Sequence, residues 1–373
     1  MKGQNTFMTY LRKTFLILVN PIGIVVSVIF VISGLAGYIN PSTQDLFAVA
    51  GLFYPVVFAA MFLGTIISAL LRTRLFFVQL ILLMISLPVS SKYFGLNLNP
   101  DDSALNVITY NVHGFKGFRD KNSEISTHES IITYLKKQQA NVVCLQEFRS
   151  WTGKIDNDLK YFAQQAGYDH YHFSGYWRRG GVQSDGYLIL SKLPIINKGS
   201  IPSETKRNIG AYADIQFSNN QVIRFASVHL ISFSLGKQEI EAFGEAAALE
   251  MDLLKKHGRS LLGKLRNSFT IRSSEVIDLQ KFIEETDLPM ILGGDFNDTP
   301  ASFTYNKITG SGLNDSHLQG GLGLGTTYGG NLPFLRIDYV FFTNTLRATG
   351  AKVHQLPYSD HNPVQATIFI QPD

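Results

Sequence analysis

The sequence predicts an α/β protein carried behind a helical membrane region, on three observations. Short apolar strands alternate with amphipathic helical stretches from about residue 105 to the carboxyl terminus. The first quarter of the chain consists of three long, nearly uncharged blocks. Polar side chains recur where the strands end, most conspicuously Asp295 and Asn297 in "LPMILGGDFNDTP".

The amino-terminal blocks come first. No residue between Lys13 and Asp45 is charged, and "FLILVNPIGIVVSVIFVISGLAGYI" inside that interval is long enough to cross a bilayer. Leu46 to Leu71 reads as a second span. Leu75 to Ser91 reads as a third, near the lower limit of about 17 residues for a spanning helix, with a buried soluble helix as its rival. A cleavable signal has a single apolar region of roughly 7 to 15 residues, so three successive blocks indicate retained anchors. Lys2, Arg12 and Lys13 precede the first block, Arg72 and Arg74 separate the second from the third, and the loop "NPSTQD" has no positive residue. The positive-inside rule then makes the amino terminus and the second loop cytoplasmic, and three spans leave the rest of the chain outside the cytoplasmic membrane. The expected division is a membrane region over 1–95 and a catalytic domain over 96–373.

The formal net charge of +4 invites a nucleic-acid partner, but its distribution argues otherwise. Residues 1 to 100 hold six basic residues and one acid, net +5, whereas residues 101 to 373 hold 27 basic and 28 acidic residues, net −1. The soluble part thus has no general positive excess with which to grip a phosphate backbone. Short basic pairs remain at Arg178 and Arg179 and at Lys206 and Arg207. The one cysteine, Cys144, lies in the apolar run "NVVCLQ" and reads as core, which excludes a disulfide framework and a cysteine-cluster zinc site.

After the polar linker "GLNLNPDD", Leu105 to Tyr110 reads as a strand ending at Asn111. Residues 124 to 139 read as an amphipathic helix, and "NVVCLQEF" as a buried strand ending at Glu147. "GYLILSKLPI", "AYADIQF" and "VIRFASVHL" are further strands, and helical stretches with solvated charged faces occupy about Phe233 to Glu285. Gly293 and Gly294 are expected to turn the backbone sharply where the next sheet strand ends. "GGLGLGTTYGG" reads as a loop, because no strand feeds its glycines and no helix follows. "RIDYVFF" and "PVQATIFI" close the chain as strands.

The strand-end residues form a set: Asn111, Glu147, His229, Asp295, Asn297, Asp338, Asp360 and His361. Singly, each has an innocuous explanation as a turn former, a salt-bridge partner or a core imidazole. If the strands share a sheet direction, the set converges on one pocket. Carboxylates without a thiolate suit Mg²⁺ or Mn²⁺ better than zinc, and two histidines suit phosphate oxygens or protons. Phosphoester hydrolysis requires those parts.

The ordered motifs "YNVHG", "LQEF", "VHL", "GDFND", "RIDYV" and "SDHNP" resemble the endonuclease/exonuclease/phosphatase superfamily over roughly residues 103 to 371. The resemblance implies a four-layer α/β sandwich of two β-sheets flanked by helices. It makes Glu147 the principal Mg²⁺ ligand, with Asn111 beside the metal and phosphate and Asp360 positioning that ion or a second one. It gives Asp295 the attacking water, Asn297 a phosphate oxygen, His361 a phosphate contact braced by Asp338, and His229 the leaving group, with Asp185 as candidate partner of His229. His113 departs from the commoner form of the first motif and receives no role. The expectation is a membrane-anchored, metal-dependent phosphoesterase in contact with the lipid bilayer, with a small or lipid-linked phosphoester favoured. Its rivals are an extracytoplasmic nuclease on DNA or RNA and a catalytically silent membrane-tethered binding module.

Overall fold

A computed structural model of the chain describes residues 2–98, 104–117, 125–177, 184–217, 221–233, 251–330, 332 and 334–370. The amino-terminal region is helical: α1 (Lys2–Leu35), α2 (Asp45–Leu52), α3 (Tyr54–Leu70), α4 (Leu75–Ile85) and α5 (Leu87–Ser90). Among the described residues no single helix is long and apolar enough to cross a membrane. The second and third blocks, expected as one spanning helix each, are bent pairs instead. α2 meets α3 at 69°, and α4 meets the segment Leu87–Tyr93 at 50°. By length and composition alone, either pair passes as a broken span. Pro55 and Pro88 explain the breaks, because each occupies the first turn of the following helix and cannot donate to the preceding one.

Inside this bundle sit Ser27, Ser33, Thr65, Ser68 and Gln79, together with an aromatic group in which Tyr54 stacks on Phe30 and Tyr93. Outside it, apolar side chains face away from the protein. Of the 32 large apolar side chains exposed among the described residues, 25 fall within residues 17–98.

The remainder runs β1 (Gly95–Leu96), β2 (Leu105–Asn111), α6 (Thr127–Gln138), β3 (Val142–Arg149), α7 (Ile155–Ala166), β4 (His170–Trp177), β5 (Ser184–Ser191), β6 (Ile195–Pro202), β7 (Asn208–Gln216) and β8 (Val222–His229). It continues through α8 (Met251–Glu284), β9 (Met290–Asp295), α9 (Phe303–Gly310), β10 (Leu313–Asp315), α10 (Ser316–Gly320), β11 (Leu322–Gly323), β12 (Asp338–Thr343), β13 (Leu346–Val353) and β14 (Val364–Ile370). Two six-stranded sheets result, ordered β13-β14-β2-β3-β5-β4 and β10-β12-β9-β8-β7-β6. β1 and β11 pair separately, joining the expected linker to the glycine-rich loop.

The two sheets face one another across an apolar layer that includes Val107, Cys144, Ile189, Phe225, Ile291 and Ala366. α6 and α7 cover the outer face of the first sheet through Ile131, Leu135, Leu159 and Phe162. α8 and α9 cover the second through Val276, Leu279 and Ile308. This is the four-layer α/β sandwich. Cys144 is core, its thiol pushed up to about 12 by burial.

Two expectations fail in instructive ways. Gly293 and Gly294 do not turn the chain; both lie within β9 in the close approach between neighbouring elements. A Cβ on Gly294 would collide with the Val228 carbonyl, and one on Gly293 would sit 3.1 Å from Thr109 Cβ on the opposing sheet. The charges of α8 are not all solvated either. Arg272 and Glu275 are fully buried and hold the backbone of one residue from both sides: Arg272 Nη2 donates to Ile231 O at 2.8 Å, and Glu275 Oε2 accepts from Ile231 N at 2.7 Å. The Arg272 guanidinium also lies over the rings of Phe233 and Phe269 and 3.5 Å from Asp298 Oδ2. The insertion therefore braces the segment that follows His229. Residues 234–250, the first part of that predicted helical stretch, lie outside the described residues.

Candidate active site

Strand register brings the polar set together. β2 and β3 run parallel, as do β8 and β9, so Asn111, Glu147, His229 and Asp295 all lie at carboxyl ends. His229 is registered against Asp295 across β8 and β9, and Asp338 opens β12 directly opposite Asp295. β14 runs antiparallel to β2 with Val364 opposite Thr109, which delivers Asp360 and His361, just ahead of β14, to the same end. A bulge between Leu145 and Phe148 re-aims Glu147. Three residues of this group hold left-handed backbones that non-glycine residues avoid: Glu147 at φ 54°, Asn297 at 52° and His113 at 50°. The turn expected of the glycines is made by Asn297.

Asn111 ties the acids together. Its Nδ2 donates to Glu147 Oε1 at 3.2 Å and to Asp295 Oδ2 at 3.0 Å, while its Oδ1 accepts from His113 N at 3.0 Å. In this orientation both amide hydrogens are taken by the two acids, and its oxygen would reach an ion only with the amide turned over. Asn297 N donates to Asp295 Oδ1 at 2.9 Å, an Asx turn. Its Nδ2 hydrogens go to Leu230 O at 2.9 Å and Asp295 Oδ2 at 3.2 Å, so a bond to substrate would replace one of these. His361 Nδ1 lies 3.0 Å from Asp338 Oδ2, leaving Nε2 facing Asp295 Oδ2 at 3.6 Å.

Electrostatics divide the acids. Burial alone would lower the pKa of His361, but Asp338 and Asp295 outweigh it and hold the imidazole well above its ordinary value. Burial pushes Asp295 upward against the pull of His361, which favours a carboxylate able to take a proton. Glu147 is also desolvated, yet His229 and the Asn111 amide bring it below the usual carboxylate range.

The donor set fits a hard divalent ion. Both ring nitrogens of buried His229 lack a hydrogen-bond partner, with Nε2 3.7 Å from Glu147 Oε1 and 3.6 Å from Asp295 Oδ2. Such an arrangement of orphaned nitrogen and convergent carboxylates is built for something that is not protein. Asp295, Asp338 and His361 also place ligand atoms within 4.8 Å of one another. The Asp338–His361 hydrogen bond accounts for part of that closeness.

The cavity at this end measures about 250 Å³, with Glu147, His229, Asp295, Asn297, Asp360 and His361 on its polar side. The Endonuclease/Exonuclease/phosphatase family model matches residues 108–361, which span all of them. The chain belongs to that family. Members of this family are hydrolases acting on phosphoester bonds. A second family model, Domain of unknown function (DUF8431), matches residues 12–93.

Solved structures share the family fold. An endonuclease/exonuclease/phosphatase from Beutenbergia cavernae DSM 12333 has 18% identity and a TM-score of 0.51 over 71% of each chain. A family protein from Leptotrichia buccalis C-1013-b has 18% identity and a TM-score of 0.51 over 72% of this chain and 100% of its own. The human Nocturnin catalytic domain with bound sulfate anion has 16% identity and a TM-score of 0.50 over 73% of this chain and 96% of its own. At such identities the likeness is one of fold. No curated protein matches the chain significantly.

Within the family site, His113 is a residue whose place the sequence did not assign. It lines the cavity with Nδ1 3.2 Å from Asp360 Oδ1. Its departure from the common motif was the available signal. Tyr328, from the loop "GGLGLGTTYGG", forms an isolated β-bridge with His361 and sets its ring edge-on to that imidazole at 5.6 Å. Asp185 is not the partner of His229. It is buried in β5 and holds Arg149 in a two-pronged ion pair at 2.5 and 2.6 Å. Arg207 is likewise engaged, with Nη1 2.6 Å from Glu275 Oε1, so it is no free phosphate clamp. Arg178 and Arg179 lie outside the described residues.

Proposed function

We propose that this family member is a membrane-anchored, divalent-metal-dependent phosphoesterase acting on a small or lipid-linked phosphoester. The observation that carries the catalytic reading is the convergence of Glu147, Asp295 and the Asp338–His361 pair on one cavity. Glu147 holds the ion, with Asp360 and Asn111 beside it, and a bound Mg²⁺ or Mn²⁺ supplies charge neutralisation at the phosphoryl oxygens. Asp295 orients a water for in-line attack and accepts its proton. Asn297 and cationic His361 contact phosphate oxygens as negative charge accumulates there, and Asp338 keeps His361 oriented and protonated. His229 delivers a proton to the departing oxygen. With a net charge of −1 over residues 101 to 373, a long polyanion is the less favoured substrate.

Anchoring is supported by the inverted character of the bundle, small polar side chains within and apolar ones outside. The Tyr54 hydroxyl bonds Ser90 Oγ at 2.8 Å beside the sandwich. The turn carrying Arg72 and Arg74 lies at the other end of α3, about 25 Å away at 1.5 Å per residue. That separation is what the positive-inside rule requires if the sandwich is extracytoplasmic.

The decisive experiment incubates the full chain with duplex DNA, RNA, phospholipids and soluble phosphomonoesters, with Mg²⁺ and with chelator. Metal-dependent turnover abolished by Glu147→Gln is expected; full activity in that variant would overturn the assignment. A reporter active only outside the cytoplasm should work after Asp373 and be silent after Arg74, and the reverse would refute the orientation.

A further inference from the structure

The cavity has a second wall made of a different kind of side chain. Besides the acids and histidines it is lined by Leu52, Phe233, Leu265, Leu332, Leu335 and Ile337, with Ser232 beside Phe233. Leu52 belongs to α2, in the amino-terminal region and far in sequence from every catalytic motif. Its placement is anchored rather than incidental. Asp45 Oδ2 accepts from Arg266 Nε on α8 at 2.8 Å, and Gly51 O lies 3.5 Å from Thr299 Oγ1, in the same loop as Asp295 and Asn297. Ala48 and Leu52 pack with Leu261, Leu265 and Phe269 of α8 and with Leu335 and Ile337.

We infer that this wall is a subsite for the first carbons of an aliphatic chain attached to the phosphate, so that the amino-terminal region supplies part of the substrate site. The inference rests on the phosphoester chemistry proposed above and specifies its substrate class. Three observations favour an alkyl chain over a nucleoside or a second phosphate. No lysine or arginine is among the described residues lining the cavity, and six apolar side chains line it with only the small hydroxyl of Ser232 beside them. At about 250 Å³ the cavity lies below the roughly 300–1,000 Å³ typical of sites that enclose a whole ligand, so it admits a phosphate and a short stretch of chain. Beyond Leu52 the protein continues through the bend at Phe53 into α3, whose exposed Val56, Phe62, Leu63 and Ile66 extend the apolar surface. A chain too long for the cavity thus has apolar surface near at hand.

The test is equilibrium binding of n-alkyl phosphonates from methyl to hexyl, which have no ester bond to cleave, to the full chain in lipid nanodiscs with Mg²⁺, empty nanodiscs being subtracted. Affinity should rise about fourfold per methylene over the first few carbons, and Leu52→Asn should flatten the rise to less than twofold. Should that variant fail to assemble, Leu335→Asn and the space-filling Leu265→Phe read the same slope from the sandwich side. Affinity independent of chain length, or nucleoside monophosphates binding more tightly than hexyl phosphonate, overturns the subsite. An intact slope without hydrolysis of any ester supports the subsite and overturns the catalytic reading instead.

Discussion

The amino-terminal bundle and the sandwich differ in what they expose and in the polar groups they bury between apolar ones. In the sandwich, Val107, Ile189, Phe225 and Ile291 fill the space between the sheets, and polarity concentrates at one end of the strands. In the bundle, Ser27, Thr65, Ser68 and Gln79 are inside while Ile24, Val28, Phe62 and Ile81 are exposed. On the anchoring proposed above, the difference is that of one chain fitted to two solvents. Water drives apolar side chains inward, whereas lipid offers no such drive and leaves helix contacts to small and polar groups. Leu52 stands where the two regimes meet, and there the catalytic cavity acquires its apolar wall.

The largest expected effect lies in the polar end of the sandwich. Asp295→Asn preserves shape but removes the proton acceptor, and kcat should fall about a thousandfold, roughly 4 kcal/mol of activation free energy. The thermal midpoint should stay near that of the parent, and an active variant would move the water-positioning role elsewhere. His361→Ala should cost more turnover than Asp338→Asn, since Asp338 acts through the imidazole; the reverse order in steady-state kinetics would make Asp338 a direct ligand.

The bundle surface provides the next test. Ile81→Lys places a charge on the exposed face of α4. If that face meets hydrocarbon, insertion should be disfavoured by roughly 3 kcal/mol and the variant should appear in the alkali-extractable fraction. An unchanged membrane fraction would mean that the face meets water. A substitution of that kind at an exposed sandwich position such as Ile196 should be neutral within about 0.5 kcal/mol.

Packing gives the smallest effect. Gly294→Ala forces a methyl against the Val228 carbonyl and should destabilise the sandwich by about 2 kcal/mol, read as a lower denaturant midpoint. Gln79→Leu in the bundle should be tolerated or stabilising, because both polar side-chain atoms of Gln79 are buried without a hydrogen-bond partner. A strong loss on Gln79→Leu would show that the buried amide itself helps hold the bundle together.

Composition and motif order were enough to determine the α/β class and the polar set at the strand ends. Period-2 apolar runs mark strands wherever they pair, and an acid or imidazole ending such a run is conspicuous locally. What the sequence withheld depends on distance. Asp185 looked available to His229 because its ion pair with Arg149 is made across a strand pairing. The glycines of β9 resembled a turn because the neighbouring Val228 backbone that requires them is more than sixty residues earlier. The charges of α8 appeared solvated until Arg272 and Glu275 were placed on either side of the Ile231 backbone. Leu52 looked like part of an anchor, and only the fold set it in the lining of the same cavity as Asp295. Sequence periodicity reports which face of an element is apolar, but which partner that face meets is settled by long-range packing, and there the apolar half of this site was decided.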